Sequence, residues 1–405
     1  MIVRTKYLKM IADGFRVVPI VVLIGARQVG KTSLMQSVEV KGKRLFLNGQ
    51  DAEVAALFQR FSVIEQYLKS YLNKSLKGYL MIDEFQYIPN LAETLNVLTE
   101  KHKELKILCS GSLSIEAVEL EMTLANKTKT VEVLPFSFEE FLLAKEKRLY
   151  KLLHRKNDIV DSSELNPLFN PLLNEYLIFG GMPRVVLSDR IEEKVAALDD
   201  IINPITLVKK TTDHRSFAGL LKYLALQIGN MVNINSISAE TGVPYKKCEE
   251  YIYLLEQMYI IKMIEPYESN RRKSITKMKK VFFCDTGLRN MIVKNFNDID
   301  FREDRGAIFE NYVMQELWRN KSAGATLQFF RTSDGAEVDF VFNNLKEKIA
   351  VESKYKTMTK PVSLAAFNRF CDDESIQKRY IVNKNLNTTH NGVNFIQGFL
   401  VNNIY

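Results

Sequence analysis

Gly25-Ala26-Arg27-Gln28-Val29-Gly30-Lys31-Thr32 is the stretch on which the reading of the chain turns. The eight residues follow the spacing GxxxxGK[ST]. They lie between an apolar run, Pro19-Ile20-Val21-Val22-Leu23-Ile24, and the start of a helical pattern. A strand that feeds a glycine loop, which then opens a helix, is the context this spacing needs. Gly25 and Gly30 let the backbone curl, so that the N–H groups of Ala26, Arg27, Gln28 and Val29 turn inward on an anion. The new helix directs its positive end at the same place. The expected ligand is a nucleotide triphosphate, ATP, with Mg²⁺: Lys31 reaches the β- and γ-phosphates, and the Thr32 hydroxyl ligates the metal.

Outward from the loop, Tyr79-Leu80-Met81-Ile82 reads as a buried strand ending in Asp83-Glu84. Asp83 is placed to hold the magnesium, directly or through a water, and Glu84 to polarise the attacking water. Lys106-Ile107-Leu108-Cys109 ends in Ser110-Gly111-Ser112, and the Ser110 hydroxyl at that tip can contact the γ-phosphate or the lytic water. Arg44-Leu45-Phe46-Leu47 and Thr130-Val131-Glu132-Val133-Leu134 are further strands, with helical periodicity between them, as in Leu91 to Lys103. Strands alternating with helices predict βαβ units and a parallel sheet, an α/β fold.

The chain has 405 residues, enough for two or three domains. Its 46% hydrophobic and 26% charged composition excludes a disordered tail, a collagen and a small disulfide scaffold. Lys and Arg number 56 against 48 Asp and Glu, a formal charge of 56 − 48 = +8, which suits an anionic partner without identifying one. Cys109, Cys248, Cys284 and Cys371 form no CxxC pair and read as reduced, mostly buried thiols. Val17 to Gly25 is far short of the ~20 apolar residues of a membrane span, and no signal-peptide pattern precedes it. The expectation is a cytoplasmic protein without a membrane partner.

The pattern changes near 145, 210 and 300, which predicts four regions: 1–145, a helical lid at 146–210, a winged helix at 211–300 and an α/β domain at 301–405. Lys156 to Pro167 looks like a loop, and Gly180-Gly181-Met182-Pro183 ends one helix and starts the next. Asn235 to Gly242 and Tyr245 to Glu256 give a helix-turn-helix outline, followed by strands at Tyr259–Pro266 and Lys279–Cys284. Between those strands, 270–280 carries six cations: Arg271, Arg272, Lys273, Lys277, Lys279 and Lys280. A wing meeting DNA phosphates is one reading of 271–280; a solvated hairpin or an interdomain surface is the other.

In the last region, Glu310 lies on an amphipathic helix, Asp339 on the strand 337–342, and Glu352 and Lys354 two apart on the next strand, hence on one face. Three carboxylates, Glu310, Asp339 and Glu352, beside Lys354 suit magnesium-assisted phosphodiester hydrolysis. A cross-strand ion pair, or the fold without the activity, fits the same residues. His102, His154, His214 and His390 have no ligand spacing.

The segments GARQVGKT, YLMIDEFQ, CSGS and VEVLPFSFEEF resemble a bacterial and archaeal family of AAA-type ATPases with a C-terminal domain of unknown function, and the similarity continues through IFGGMPRVV, FCDTG and EVDFV. The resemblance implies an AAA-like domain, a winged helix and a nuclease-like fold, with Glu310, Asp339, Glu352 and Lys354 in the order of a PD-(D/E)xK core. The family usually has Gly-Arg before the fifth strand; here Asn126-Lys127 stands there, and a lysine lacks the planar fork of an arginine. Arg184 is the alternative cation. The function expected is an ATPase acting on or near DNA. The alternative is a nucleotide-dependent DNA- or protein-binding switch whose nuclease fold is inactive.

Overall fold

The computed structural model describes residues 2–404 except 113, 125, 155–161, 207–212, 268–277, 322–323, 333–334 and 344–346. The chain divides into two compact units, Met1–Leu134 with Gln257–Tyr259, and Pro135–Glu256 with Ile260–Tyr405.

The first unit is built on β1 (Ile20–Ile24), β2 (Arg44–Asn48), β3 (Gly78–Asp83), β4 (Leu105–Gly111) and β5 (Thr128–Glu132). All five are parallel, in the order β2-β3-β4-β1-β5. Every residue of β1 is buried, which is why it reads as an unbroken apolar run rather than an alternation. The order places β4 between β1 and β3, with Ile24 paired to Gly111 and Ile82 to Cys109. The loop after β1, the carboxylates after β3 and the serines after β4 therefore share the carboxyl edge of the sheet, where open α/β sheets bind ligands.

In the second unit, β6 (Met231–Val232), β7 (Ile261–Pro266), β8 (Lys279–Phe283), β9 (Thr326–Arg331), β10 (Glu337–Asn343), β11 (Lys348–Lys354), β12 (Lys378–Asn383), β13 (Thr388–His390) and β14 (Val393–Gln397) form a mixed sheet. Its order is β13-β14-β12-β11-β10-β9-β7-β8-β6. The β7–β8 hairpin expected as a wing is not a free one. The far end of β7 pairs in parallel with β9, Glu265 to Gln328 and Pro266 to Phe329, so that end of its edge is taken up by the sheet. Contacts draw no seam near 300, because this one sheet spans both sides of it. Nor do they draw one at 145. The Phe138–Lys145 helix, capped by Ser137 and Glu140 in a reciprocal box, packs Phe138 edge-on against Tyr176 and Tyr312.

The expected loop at Lys156 to Pro167 lies partly outside the described residues; from Ser162 onward it is the helix Ser162–Phe179, which contains Pro167 and Pro171. Interior prolines cost a helix roughly 3 kcal/mol or more. Phe169, Leu173, Tyr176 and Leu177 are each buried on it, at about 1.5–3 kcal/mol apiece, which outweighs that cost. The strand β13 carries no apolar signal in the sequence because Thr388, Thr389 and His390 are all exposed and polar.

The IFGGMPRVV and FCDTG segments meet each other. The Gly181 N–H donates to Asp285 Oδ2 at 2.7 Å, and Asp285 Oδ1 caps the Thr286–Val293 helix through the Leu288 N–H at 3.0 Å. A Cβ on Gly287 would stand 2.0 Å from the Phe179 carbonyl oxygen. Gly287→Ala is therefore expected to cost at least about 1–3 kcal/mol, read from the midpoint of denaturant unfolding. An unchanged midpoint would show that this backbone approach is not tight.

Candidate functional site

At the carboxyl edge of the first sheet the loop is held from two sides. A Cβ on Gly25 would be 2.1 Å from the Val133 carbonyl oxygen, so only glycine fits there. Gly30, the residue before the Lys31–Gln36 helix, has φ 91°. Arg4, which the sequence reading passed over, is buried and donates to the Val29 carbonyl at 3.3 Å and the Leu134 carbonyl at 2.8 Å, with its guanidinium 4.3 Å from the Tyr7 ring centroid. No local signal marks it: a single arginine before a helix has no motif.

Lys31 is only 4% exposed, and its ammonium donates to the Gly25 and Ala26 carbonyls, each at 2.9 Å. Burial lowers its pKa to about 8, more than Glu84 and Asp83 hold it up. The Thr32 hydroxyl donates to Asp83 Oδ2 at 2.6 Å, and the Ser110 hydroxyl donates to Asp83 Oδ1. Thus Ser110, buried at the strand tip, serves the Asp83 carboxylate in this arrangement. It is Ser112 that reaches Glu84, at 3.2 and 3.4 Å from the two oxygens. Gln86 Nε2 also donates to Glu84, at 2.7 Å. Glu84 itself sits at φ 51°, the left-handed region that costs a non-glycine residue energy. Arg27 is exposed and contacts the Tyr87 hydroxyl at 3.5 Å; Gln28 has φ 60°.

These residues fit Mg²⁺ with a triphosphate. A hydroxyl and a carboxylate already in contact are two hard oxygen donors, and magnesium completes its shell with phosphate oxygens and water. The buried ammonium over loop carbonyls is a counter-cation for phosphate. A phosphate beside Lys31 favours its charged form, so binding above pH 8 should take up a proton. Calorimetric titration at pH 9 in buffers of different ionisation enthalpy checks this: heats that do not vary with buffer would contradict it.

The two alternative cations are engaged. Lys127 Nζ lies 2.5 Å from Asn96 Oδ1 and 2.8 Å from Glu100, and Arg184 pairs with Asp200 at 2.6 Å.

The second unit brings Glu310, Asp339, Glu352 and Lys354 together, as their order suggested. Phe340 pairs with Val351 in the antiparallel β10–β11 register, which sets Asp339 opposite Glu352. The Asp339 N–H donates to Glu352 Oε2 at 3.2 Å, beside an irregularity of β10 between Val338 and Val341. Lys354 Nζ donates to Glu352 Oε1 at 2.6 Å, confirming their common face. Asp339 Oδ2 accepts both the N–H and the hydroxyl of Ser353, at 2.8 and 2.7 Å. Sequence reasoning missed Lys280 and Glu337. Lys280 Nζ pairs with Glu310 at 2.7 Å and Glu337 at 2.5 Å, so the last lysine of the basic run is inside the protein. Burial and the neighbouring Asp339 raise Glu310 to about 8, and the same two causes push Glu352 up. Among the described residues, no group of three or more His, Cys, Asp or Glu is arranged to hold a metal ion. A magnesium expected on Glu310, Asp339 and Glu352 would compete with the Lys280, Lys354, Ser353 and backbone donors that hold one oxygen of Glu310, one of Asp339 and both of Glu352.

Of the basic stretch 271–280, residues 271–277 lie outside the described residues; Lys279 pairs with Glu265 at 2.9 Å. All four cysteines are buried, and among the described residues no helix is long and apolar enough to cross a membrane.

Known proteins share these features. Residues 18–142 match the family model described as AAA domain, 170–299 a domain of unknown function (DUF8612), and 305–397 a domain of unknown function (DUF4143). The parallel five-stranded sheet and the glycine loop of the first unit resemble a P-loop ATPase, in line with the AAA domain match. An uncharacterized protein of Haemophilus influenzae is 25% identical over 382 residues, 88% of this chain and 87% of that one. One from Methanocaldococcus jannaschii is 23% identical over 367 residues, 87% and 78% of the two chains. Among solved structures, the Walker-type ATPase of Pyrococcus abyssi aligns with a TM-score of 0.48 at 15% identity, over 72% of this chain and 96% of that one.

Proposed function

We propose that the protein binds ATP with Mg²⁺ and hydrolyses it at the carboxyl edge of the first sheet. The observation that carries this reading is the continuous set Lys31, Thr32, Asp83 and Glu84, three of them linked by contacts across loop and strand tip. The loop amides and Lys31 bind and orient the phosphates. Thr32 and Asp83 would hold the magnesium, which when bound neutralises charge on the phosphate oxygens. Glu84, tethered by Gln86 and Ser112, accepts a hydrogen bond from the attacking water and aligns it. Ser110 fixes the carboxylate of Asp83 from the far side.

Phosphate release from ATP tests this reading. It should require Mg²⁺, stop on chelation, and fall at least about tenfold in Thr32→Ala. Release that continues in excess chelator would overturn it.

The finer expectation of action on DNA has less to stand on. Lys279 and Lys280 are both in ion pairs within the second unit, so its basis is the helix-turn-helix outline and the cations of 271–277, which lie outside the described residues.

A further inference from the structure

The densest run of positive charge in the chain, expected to face outward, sends its last residue into the sheet. Lys280 is the second residue of β8, with Met231 of β6 on one side and Ile264 of β7 on the other. Its side chain rises from one face of the sheet and is 2% exposed. Its ammonium lies 2.7 Å from Glu310, 2.5 Å from Glu337 and 5.6 Å from the Phe329 ring centroid. The other oxygen of Glu337 accepts from Arg331 at 3.1 Å. The remaining carboxylates are answered as well, Asp339 by the N–H and hydroxyl of Ser353 and Glu352 by Lys354 and the Asp339 N–H.

A divalent ion and an ammonium compete for such a centre. Magnesium needs carboxylate oxygens at about 2.0–2.1 Å in near-octahedral array. Lys280 already holds one oxygen of Glu310, and a second positive charge there would be repelled at close range with little water to screen it.

We propose that Lys280 is the resident cation of this centre: its ammonium takes the place of a divalent metal ion, and the carboxylates of the second sheet bind no Mg²⁺ or Mn²⁺ while it is there. The centre is then an ion-paired core joining β8, β10 and the Arg305–Arg319 helix, and it carries no metal-dependent phosphodiester hydrolysis. The inference does not depend on the ATP reading, since it concerns other residues in the other unit.

Mn²⁺ binding to the full chain without nucleotide, followed by the electron paramagnetic resonance of free Mn²⁺ at neutral pH, tests it. Wild type and Asp339→Asn should bind the same small amount. Lys280→Met or Lys280→Gln should gain a site at least about tenfold tighter, and adding Asp339→Asn should remove it. Wild-type binding that drops on Asp339→Asn would overturn the proposal, and that comparison stands even if neither Lys280 variant folds. A folded Lys280 variant that gains no Mn²⁺ would overturn it too, as would plasmid nicking by wild type that Asp339→Ala abolishes.

Discussion

Lys31→Ala should remove nucleotide binding while leaving the first unit folded. The ammonium is buried among the loop carbonyls beside the two carboxylates, and alanine leaves the incoming triphosphate facing Gly25 O, Ala26 O, Asp83 and Glu84 without that counter-charge. Losing a charge-assisted donor aimed at the transferred phosphate typically costs on the order of 10²–10³ in rate. A comparable loss in affinity adds to it, so kcat/KM should fall on the order of 10⁴-fold or below detection. Thermal unfolding without nucleotide should shift little, because the lowered pKa shows that burying this ammonium is unfavourable in the free protein. Steady-state hydrolysis and a binding titration on the same preparation check both halves. Normal turnover in Lys31→Ala would place the site elsewhere.

Glu84→Gln should separate binding from chemistry. The glutamine is nearly the same shape and keeps one oxygen for Ser112 or Gln86, yet it cannot draw a proton from water. A positioned base contributes about 10²–10⁴ in rate, so kcat should fall by that order while affinity for ATP holds. The variant should retain unhydrolysed ATP through gel filtration. If it turns over like wild type, Glu84 is a structural residue at a strained turn and another group aligns the water. Ser112→Ala, which leaves Gln86 as the remaining side-chain donor to Glu84, should give a smaller loss of kcat with KM unchanged.

The first unit was legible because its signals are local. The central strands β1, β3 and β4 are short apolar runs bounded by turn residues, and the glycine loop points to phosphate. Register then follows, since a P-loop on β1 and carboxylates on β3 can meet only at one edge. Roles within the site were less legible. Ser110 and Ser112 are two residues apart in one tripeptide, and only the direction of each side chain shows that the first serves Asp83 and the second Glu84. Arg4 reaches the loop from more than twenty residues away.

In the second unit the sequence misled where contacts are long-range. The β7–β8 hairpin reads as a wing because nothing in its own residues reveals β9, which follows it by about sixty positions and takes up the far end of its edge. The run at 270–280 looks uniformly solvated, yet period-2 alternation alone allows one of Lys279 and Lys280 to face inward, and which of them does so depends on the sheet's neighbours. The β10–β11 register brings Asp339, Glu352 and Lys354 together. What the composition of that set could not reveal was Lys280, a partner from another strand that changes its chemistry.

Isothermal titration of Mg²⁺ and ATP into the folded full chain bears most directly on the central claim. A saturable exothermic or endothermic signal at one site per chain, absent in Lys31→Ala, is expected. No heat from folded wild-type protein, or an identical isotherm in Lys31→Ala, would contradict the nucleotide site on which the account is built.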